Sequence, residues 1–216
     1  MSDYSNRLRK SDWLVGDCDL SRARRMVTEH HYARGASNTR VACHGLYRAS
    51  DYSLAGVAWW LPPTLTSAAK TWPDAPKQVL SLSRLVLTPG TPKNAATFLL
   101  SRSVRQISAH WVCLVTYADT WQGHTGHIYK AAGWEELGLT KPQPIYTIEG
   151  RQVATKCGPR TRTHAEMLAI GAVFVGRFPR WKFRLVRRPK AKVLPIQNHQ
   201  RSLFDALEAT SQGGAA

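Results

Sequence analysis

The stretch YADTWQGHTGHIYKAAGW, residues 117–134, gathers one carboxylate, two histidines and a tyrosine around a glycine-rich turn. Asp119 closes the most apolar run of the chain, HWVCLVTYAD (110–119). In open α/β sheets, ligands collect beyond the carboxyl ends of strands, so a carboxylate there is placed to accept a proton or bind a metal. The same side chain also suits capping of the turn that follows. His124 and His127 are three apart, so on one helix they share a face and offer two metal ligands. Tyr129 is expected on that short helix, either as a core aromatic or as a proton donor.

Two upstream groups add to this set. In KQVLSLSRLVLTPG (77–90), strict strand alternation puts Leu80, Leu82, Arg84 and Val86 on one face. An arginine in an apolar row needs an anionic ligand, a partner such as Asp119, or a route to water. In EHHYARG, His31 and Tyr32 end a predicted helix. Histidine has the unperturbed pKa for proton transfer near neutrality, although a histidine at a helix C-terminus is also favoured by the macrodipole.

The elements that must position these residues are legible in outline. Leu20, Ala23, Val27 and His31 have helical spacing, which predicts a helix over 20–35 stopped by Gly35. The runs at 12–19, 39–48, 54–63, 77–90 and 110–119 read as strands, the second and third joined as a hairpin. Residues 94–108 read as a helix with Asn94 as N-cap, and 124–133 as a short helix ending at Gly133. Four prolines within 62–77 point to an excursion or flap. Strand-like pieces follow at 134–139 and 143–154. The order predicts an α/β fold, a mixed β-sheet flanked by helices, closed within residues 12–155. Residues 1–11 read as a polar tail and 209–216 as disordered.

The chain has 216 residues and a formal charge of +16. That charge favours an anionic partner, nucleic acid before membrane surface. Between Lys156 and Lys192 eleven Lys or Arg residues meet one acid, Glu166. Phe178, Trp181 and Phe183 are interleaved with them. Cations release counterions from phosphates and aromatics stack on bases, so 156–208, the C-terminal part of the same domain, is expected to bind nucleic acid. Lys156, Arg160, Arg162, Arg180, Trp181, Lys182, Arg184, Arg187 and Arg188 are the candidate contacts. A solvated charged face is the plain alternative.

No apolar run reaches the roughly 20 residues of a membrane helix, and the N-terminus lacks the layout of a signal peptide. Cys18, Cys43, Cys113 and Cys157 are too scattered for a zinc finger or a disulfide framework, which suits reduced thiols in a cytoplasm. Nucleophile-elbow, phosphate-loop and zinc-deaminase signatures are missing from the sequence.

The succession of elements, with TPGTPKNAATF before a helix and YKAAGW on the last one, resembles the GNAT acyltransferase fold. That resemblance implies two central strands that splay apart, an acyl donor entering the gap, and Tyr129 protonating the leaving group. It places donor contacts at Arg84, Leu85, Val86, Gly90 and Asn94. EHHYARG, LSRLVL and YADTWQGHTGHIYKAAGW together are similar to the Mom DNA-modification proteins of Mu-like bacteriophages. This implies an enzyme of the bacterial cytoplasm that converts DNA adenine to N6-carbamoylmethyladenine, a mark that blocks restriction. His31, Tyr32, Arg84 and Asp119 are the matching functional positions.

The donor is open between acetyl-CoA and glycyl-tRNA. The turn lacks the Q/R-x-x-G-x-G/A pattern of acetyl-CoA binders, and Pro89 and Pro92 have no N–H to offer a pyrophosphate. An acetyl donor also requires oxidation at its methyl carbon and a source of nitrogen, hence iron or another redox centre. A glycyl group holds every atom needed. The rival functions are an N-acetyltransferase of a protein or small amine, and a non-catalytic DNA-binding protein.

Overall fold

The computed structural model describes residues 7–35, 37–157 and 160–187, leaving Arg188 and the expected disordered tail outside the described residues. The chain runs β1 (Trp13–Asp17), α1 (Leu20–His30), β2 (Ala42–Arg48), β3 (Leu54–Leu61), α2 (Leu65–Thr71), β4 (Val79–Leu87), α3 (Ala95–Gln106) and β5 (Cys113–Asp119). It continues through α4 (His127–Ala131), β6 (Glu135–Leu139), β7 (Gln143–Ile148), β8 (Arg151–Val153), β9 (Lys156–Cys157), β10 (Arg160–Thr161), α5 (His164–Ala169), β11 (Val173–Phe178) and β12 (Arg180–Val186).

Seven strands form the main sheet in the order β1-β2-β3-β4-β5-β12-β6. Only β4 and β5 are parallel, joined by the α3 crossover, and the remaining neighbours are antiparallel. On one face α1 buries Ala23, Met26 and Val27 against Cys43, Val57, Trp59 and Val86. The other face carries the larger core, where Leu99 and Leu100 of α3 meet Leu46, Trp60, Leu80 and Leu114. The mixed α/β architecture expected from the sequence is therefore present. A smaller sheet, β11-β7-β8, and the β9–β10 pair lie apart from it. Among the described residues no helix is long and apolar enough to cross a membrane.

Several local expectations are corrected. The sheet does not close by residue 155, because β12 inserts between β5 and β6. RWKFRLV alternates strictly, sending Phe183 into the core and its cations to the opposite face, the pattern of an antiparallel strand with one apolar face. Residues 62–77 hold a packed helix: Thr64 caps α2 and Ala68 is buried with Val79, Cys113 and Val115. α1 stops at His30, and His31 is already extended (φ −95°, ψ 135°). Asn94 precedes α3 in the left-handed region (φ 72°) and makes no side-chain cap.

Candidate functional site

β4 and β5 pair only from Val79↔Cys113 to Ser81↔Val115. Beyond that β4 stays with β3 as far as Leu87, and β5 stays with β12 as far as Asp119, so the two strands part. A cavity of about 410 Å³ fills the gap, lined by Leu82, Ser83, Leu85 and Leu87 from one strand and Thr116, Tyr117 and Ala118 from the other. His31, Tyr32, His124, His127 and Tyr129 complete its wall. The volume is typical of small-ligand sites.

A β-bulge decides which side chains face this gap. Trp59 pairs with Arg84 and Trp60 with Leu82, leaving Ser83 unpaired. One extra residue inverts the alternation that follows. Leu82, Leu85 and Leu87 therefore join the α3-side core, whereas Val86 joins the α1-side core. The expected common face of Leu82 and Arg84 does not exist, and Val86 lies away from the cavity. Arg84 points to the α1 side. Its Nε donates to the Gly35 carbonyl at 3.0 Å and its Nη1 to the Ser83 carbonyl at 2.7 Å. It fastens the loop after α1 onto the bulge, and the expected pairing with Asp119 is replaced by one between Asp119 and Arg180.

That loop carries His31 and Tyr32. Ala33 N–H donates to His31 Nδ1 at 3.1 Å, which fixes the ring proton on Nε2. Burial, then the charges of Arg84 and His124, hold His31 down at about 4, so the ring is neutral and presents a donor. Its ring lies 4.3 Å from that of Tyr32, which lies 5.6 Å from His124. Burial and then the Asp119 charge push the Tyr32 phenol up to about 12.

Asp119 is 2% exposed and divides its two oxygens between two tasks. Oδ1 accepts the Trp121 N–H at 3.2 Å and so caps the following turn. Oδ2 is buried with no hydrogen-bond partner among the described residues and stands 3.4 Å from Arg180 Nε, an ion pair at the edge of hydrogen-bond range. The capping reading of this residue therefore holds. By strand alternation Asp119 and Arg84 lie on the same face and both act on Tyr32, but neither lines the cavity, so the expected convergence of the two on one cleft is not met. Tyr129 stands on the opposite face, 5.2 Å from Phe183, its phenol raised by burial. α4 begins at His127, so His124 belongs to the turn and the two histidines do not share a helical face. Among the described residues, no group of three or more His, Cys, Asp or Glu side chains is arranged to hold a metal ion.

A family model matches residues 12–188, and it is that of the Mom protein family. The chain belongs to the Mom protein family. No curated protein matches this Mom-family chain. Its fold is that of the GNAT acetyltransferases. An N-acetyltransferase from Staphylococcus aureus Mu50 superposes with a TM-score of 0.50 at 10% identity, covering 82% of this chain and 99% of that one. The ribosomal-protein-S18-alanine N-acetyltransferase of Escherichia coli gives 0.50 at 10% identity, over 84% and 98% of the two chains. Arabidopsis thaliana NAA60, in complex with a bisubstrate analogue, gives 0.50 at 11%, over 81% and 97%.

Within this Mom-family chain the remaining expected contacts are dispersed. Leu85 lines the cavity, but Asn94 lines a different pocket on the outer side of α3, beside Lys10, Arg102 and Arg105. Gly90 sits in the β4–α3 turn at φ 81°, away from the cavity wall. On β12, Arg180 serves Asp119, and Lys182 Nζ donates to Thr71 Oγ1 at 2.7 Å. Arg184 donates from Nε and Nη2 to one oxygen of Glu135, and Arg187 donates to the carbonyls of Ile107, Ser108 and Trp111. These cations fasten the sheet to its surroundings. Trp181 is half-buried under Lys130, and Phe183 is fully buried. Lys156 and Arg160 are exposed and Arg162 is half-buried in the segment before α5, with Arg160 paired to Glu166 at 2.7 Å. No residue pattern marked Ser83 as a bulge or Arg180 as the partner of Asp119.

Proposed function

We propose that this protein transfers an acyl or aminoacyl group to N6 of adenine in DNA, the step that leads to N6-carbamoylmethyladenine. The observation that carries the proposal is the splayed cavity with chemically different sides. Tyr129 and the leucines of β4 occupy the α3 side, and His31 and Tyr32 sit at the α1 side, where the charge of Asp119 acts on Tyr32 from outside the cavity lining. A donor carbonyl held on the first side meets an acceptor amine arriving from the second.

Adenine N6 is a weak nucleophile and is inaccessible in a stacked duplex, so the base is extruded at a cost of a few kcal/mol. Asp119 Oδ2, which makes no hydrogen bond and is held only by the ion pair to Arg180, accepts the N6 proton as N6 attacks the donor carbonyl. His31 Nε2–H and the Tyr32 hydroxyl, both protonated at neutral pH, hydrogen-bond to ring nitrogens or to the developing oxyanion. Tyr129, also kept protonated by burial, returns a proton to the leaving group. Arg84 positions the acceptor loop and touches no reacting atom.

Atom balance favours a glycyl donor. Glycyl transfer gives N6–CO–CH2–NH2, an isomer of the product. Attack of its free amine on C6, with expulsion of the amide nitrogen, leaves N6–CH2–CO–NH2 with no oxidant. An acetyl thioester donor needs a further oxidant and a nitrogen source. Mass analysis of nucleosides from DNA of expressing cells tests the proposal. A carbamoylmethyl adduct on deoxyadenosine supports it. Unmodified DNA alongside acetylated protein or polyamine supports an ordinary N-acetyltransferase and refutes it. Incubation of DNA and purified protein with labelled glycyl-tRNA, against labelled acetyl-CoA, then assigns the donor.

A further inference from the structure

The strand that delivers Arg180 to Asp119 follows directly from the small sheet. β11 is an edge strand there, backed by β7, β8 and the buried Met167 of α5. It presents Val173 at 63%, Phe174 at 41% and Val175 at 41% exposure, an apolar row on a very basic protein. Phe174 is rigidly held. Its ring lies 5.4 Å from Tyr146 and 5.5 Å from His164, and these two are themselves joined by a 2.8 Å hydrogen bond. Arg151, Arg160 and Arg177 are exposed on the same module. Of its two acids, Glu166 is committed to Arg160 and to capping α5.

Two kinds of partner suit an exposed apolar edge. A second copy is disfavoured, because the bulge between Phe174 and Gly176 breaks the ladder an added strand would need. Two chains of charge +16 also repel. A nucleic-acid strand is favoured, because a supported aromatic ring among arginines is the composition of a base-stacking platform. The placement agrees. Arg180 lies six positions after Phe174, at most about 20 Å of extended chain, which is a few nucleotides from the cleft.

We propose that Phe174, backed by Tyr146 and His164, is a stacking post for an unpaired nucleobase of the substrate DNA, a few nucleotides from the adenine in the cleft. The inference rests on the reading of DNA as the acceptor. It moves base stacking from Trp181 and Phe183, which the fold has covered, to a ring the sequence did not single out.

The test is the affinity of the full-length protein for a labelled single-stranded oligodeoxynucleotide, measured by anisotropy at several salt concentrations. Phe174→Ala and Phe174→Leu weaken binding roughly tenfold with an unchanged salt slope, and Phe174→Trp keeps wild-type affinity. Thermal melting of all three stays at the wild-type value. Unchanged affinity in Phe174→Ala, full rescue by Phe174→Leu, or no binding by the wild type overturns the proposal. So does loss of self-association in sedimentation with DNA affinity intact, which assigns the patch to a second copy. DNA modification is measured in parallel. Phe174-dependent binding without modification sinks the catalytic reading and keeps the post, and normal modification with Phe174-independent binding sinks the post alone.

Discussion

Asp119→Asn separates chemistry from architecture, because the structure gives the two carboxylate oxygens different work. The amide oxygen of asparagine still accepts the Trp121 N–H, so the cap, worth about 1 kcal/mol, is kept. The ion pair to Arg180 is lost, but that side chain is 40% exposed and the pair is solvent-screened, so its loss costs about 1 kcal/mol or less. Removing a carboxylate that is 2% exposed also relieves a desolvation cost of opposite sign. Stability should therefore change by no more than about 1 kcal/mol, a melting shift of roughly 2–4 °C at this chain length. The chemical step loses its proton acceptor and should slow by roughly 10²–10⁴, equivalent to about 3–5 kcal/mol of barrier. Single-turnover modification of an oligonucleotide, followed by nucleoside mass analysis, measures the rate, and calorimetry measures the melting point. A third readout is independent of turnover. Because the Asp119 charge is the second cause of the raised Tyr32 phenol, ultraviolet titration of the variant should find that phenol below about 12, with burial keeping it above its ordinary 10. A rate within roughly threefold of wild type, or an unmoved Tyr32 titration, refutes the assignment.

Other perturbations test the same frame. His31 has a folded value near 4 against 6.5 when free, so between those values the unfolded chain binds protons that the folded one refuses. Stability should fall as pH drops through that window, and His31→Asn, which keeps an acceptor for the Ala33 N–H, should flatten the fall in denaturant midpoints. Arg84→Lys cannot span the carbonyls of Gly35 and Ser83 together, so amide exchange at Ala33 and Arg34 should quicken roughly tenfold while β4 stays protected. Unchanged exchange there would remove the fastening role. Gly126 and Gly133 both have positive φ, but a methyl at Gly126 lands inside the Phe183 ring, whereas one at Gly133 meets open space. Calorimetry should show Gly133→Ala costing about 1 kcal/mol and Gly126→Ala a further 1–3 kcal/mol.

What the sequence settled by itself were the features that act over a few residues. Helical spacing from Leu20 to Val27, the apolar run ending at Asp119, and the glycine after Lys130-Ala-Ala are local, and each element is present, although α1 and α4 are shorter than periodicity suggested. Motif resemblance likewise singled out His31, Tyr32 and Tyr129, and all three line one cavity. Tertiary structure decided everything that depends on pairing across long separations. Ser83 became a bulge only because β3 opposes two residues with one, and that single extra residue turned Arg84 from the cavity to the α1 loop. The basic run after Lys156 read as a free phosphate-binding surface because charge density says nothing of partners. Once β12 docks between β5 and β6, Arg180, Lys182, Arg184 and Arg187 are taken by Asp119, Thr71, Glu135 and the carbonyls after α3. A buried or half-buried cation must be satisfied by whatever the fold brings beside it, and that neighbour can lie a hundred residues away in the chain.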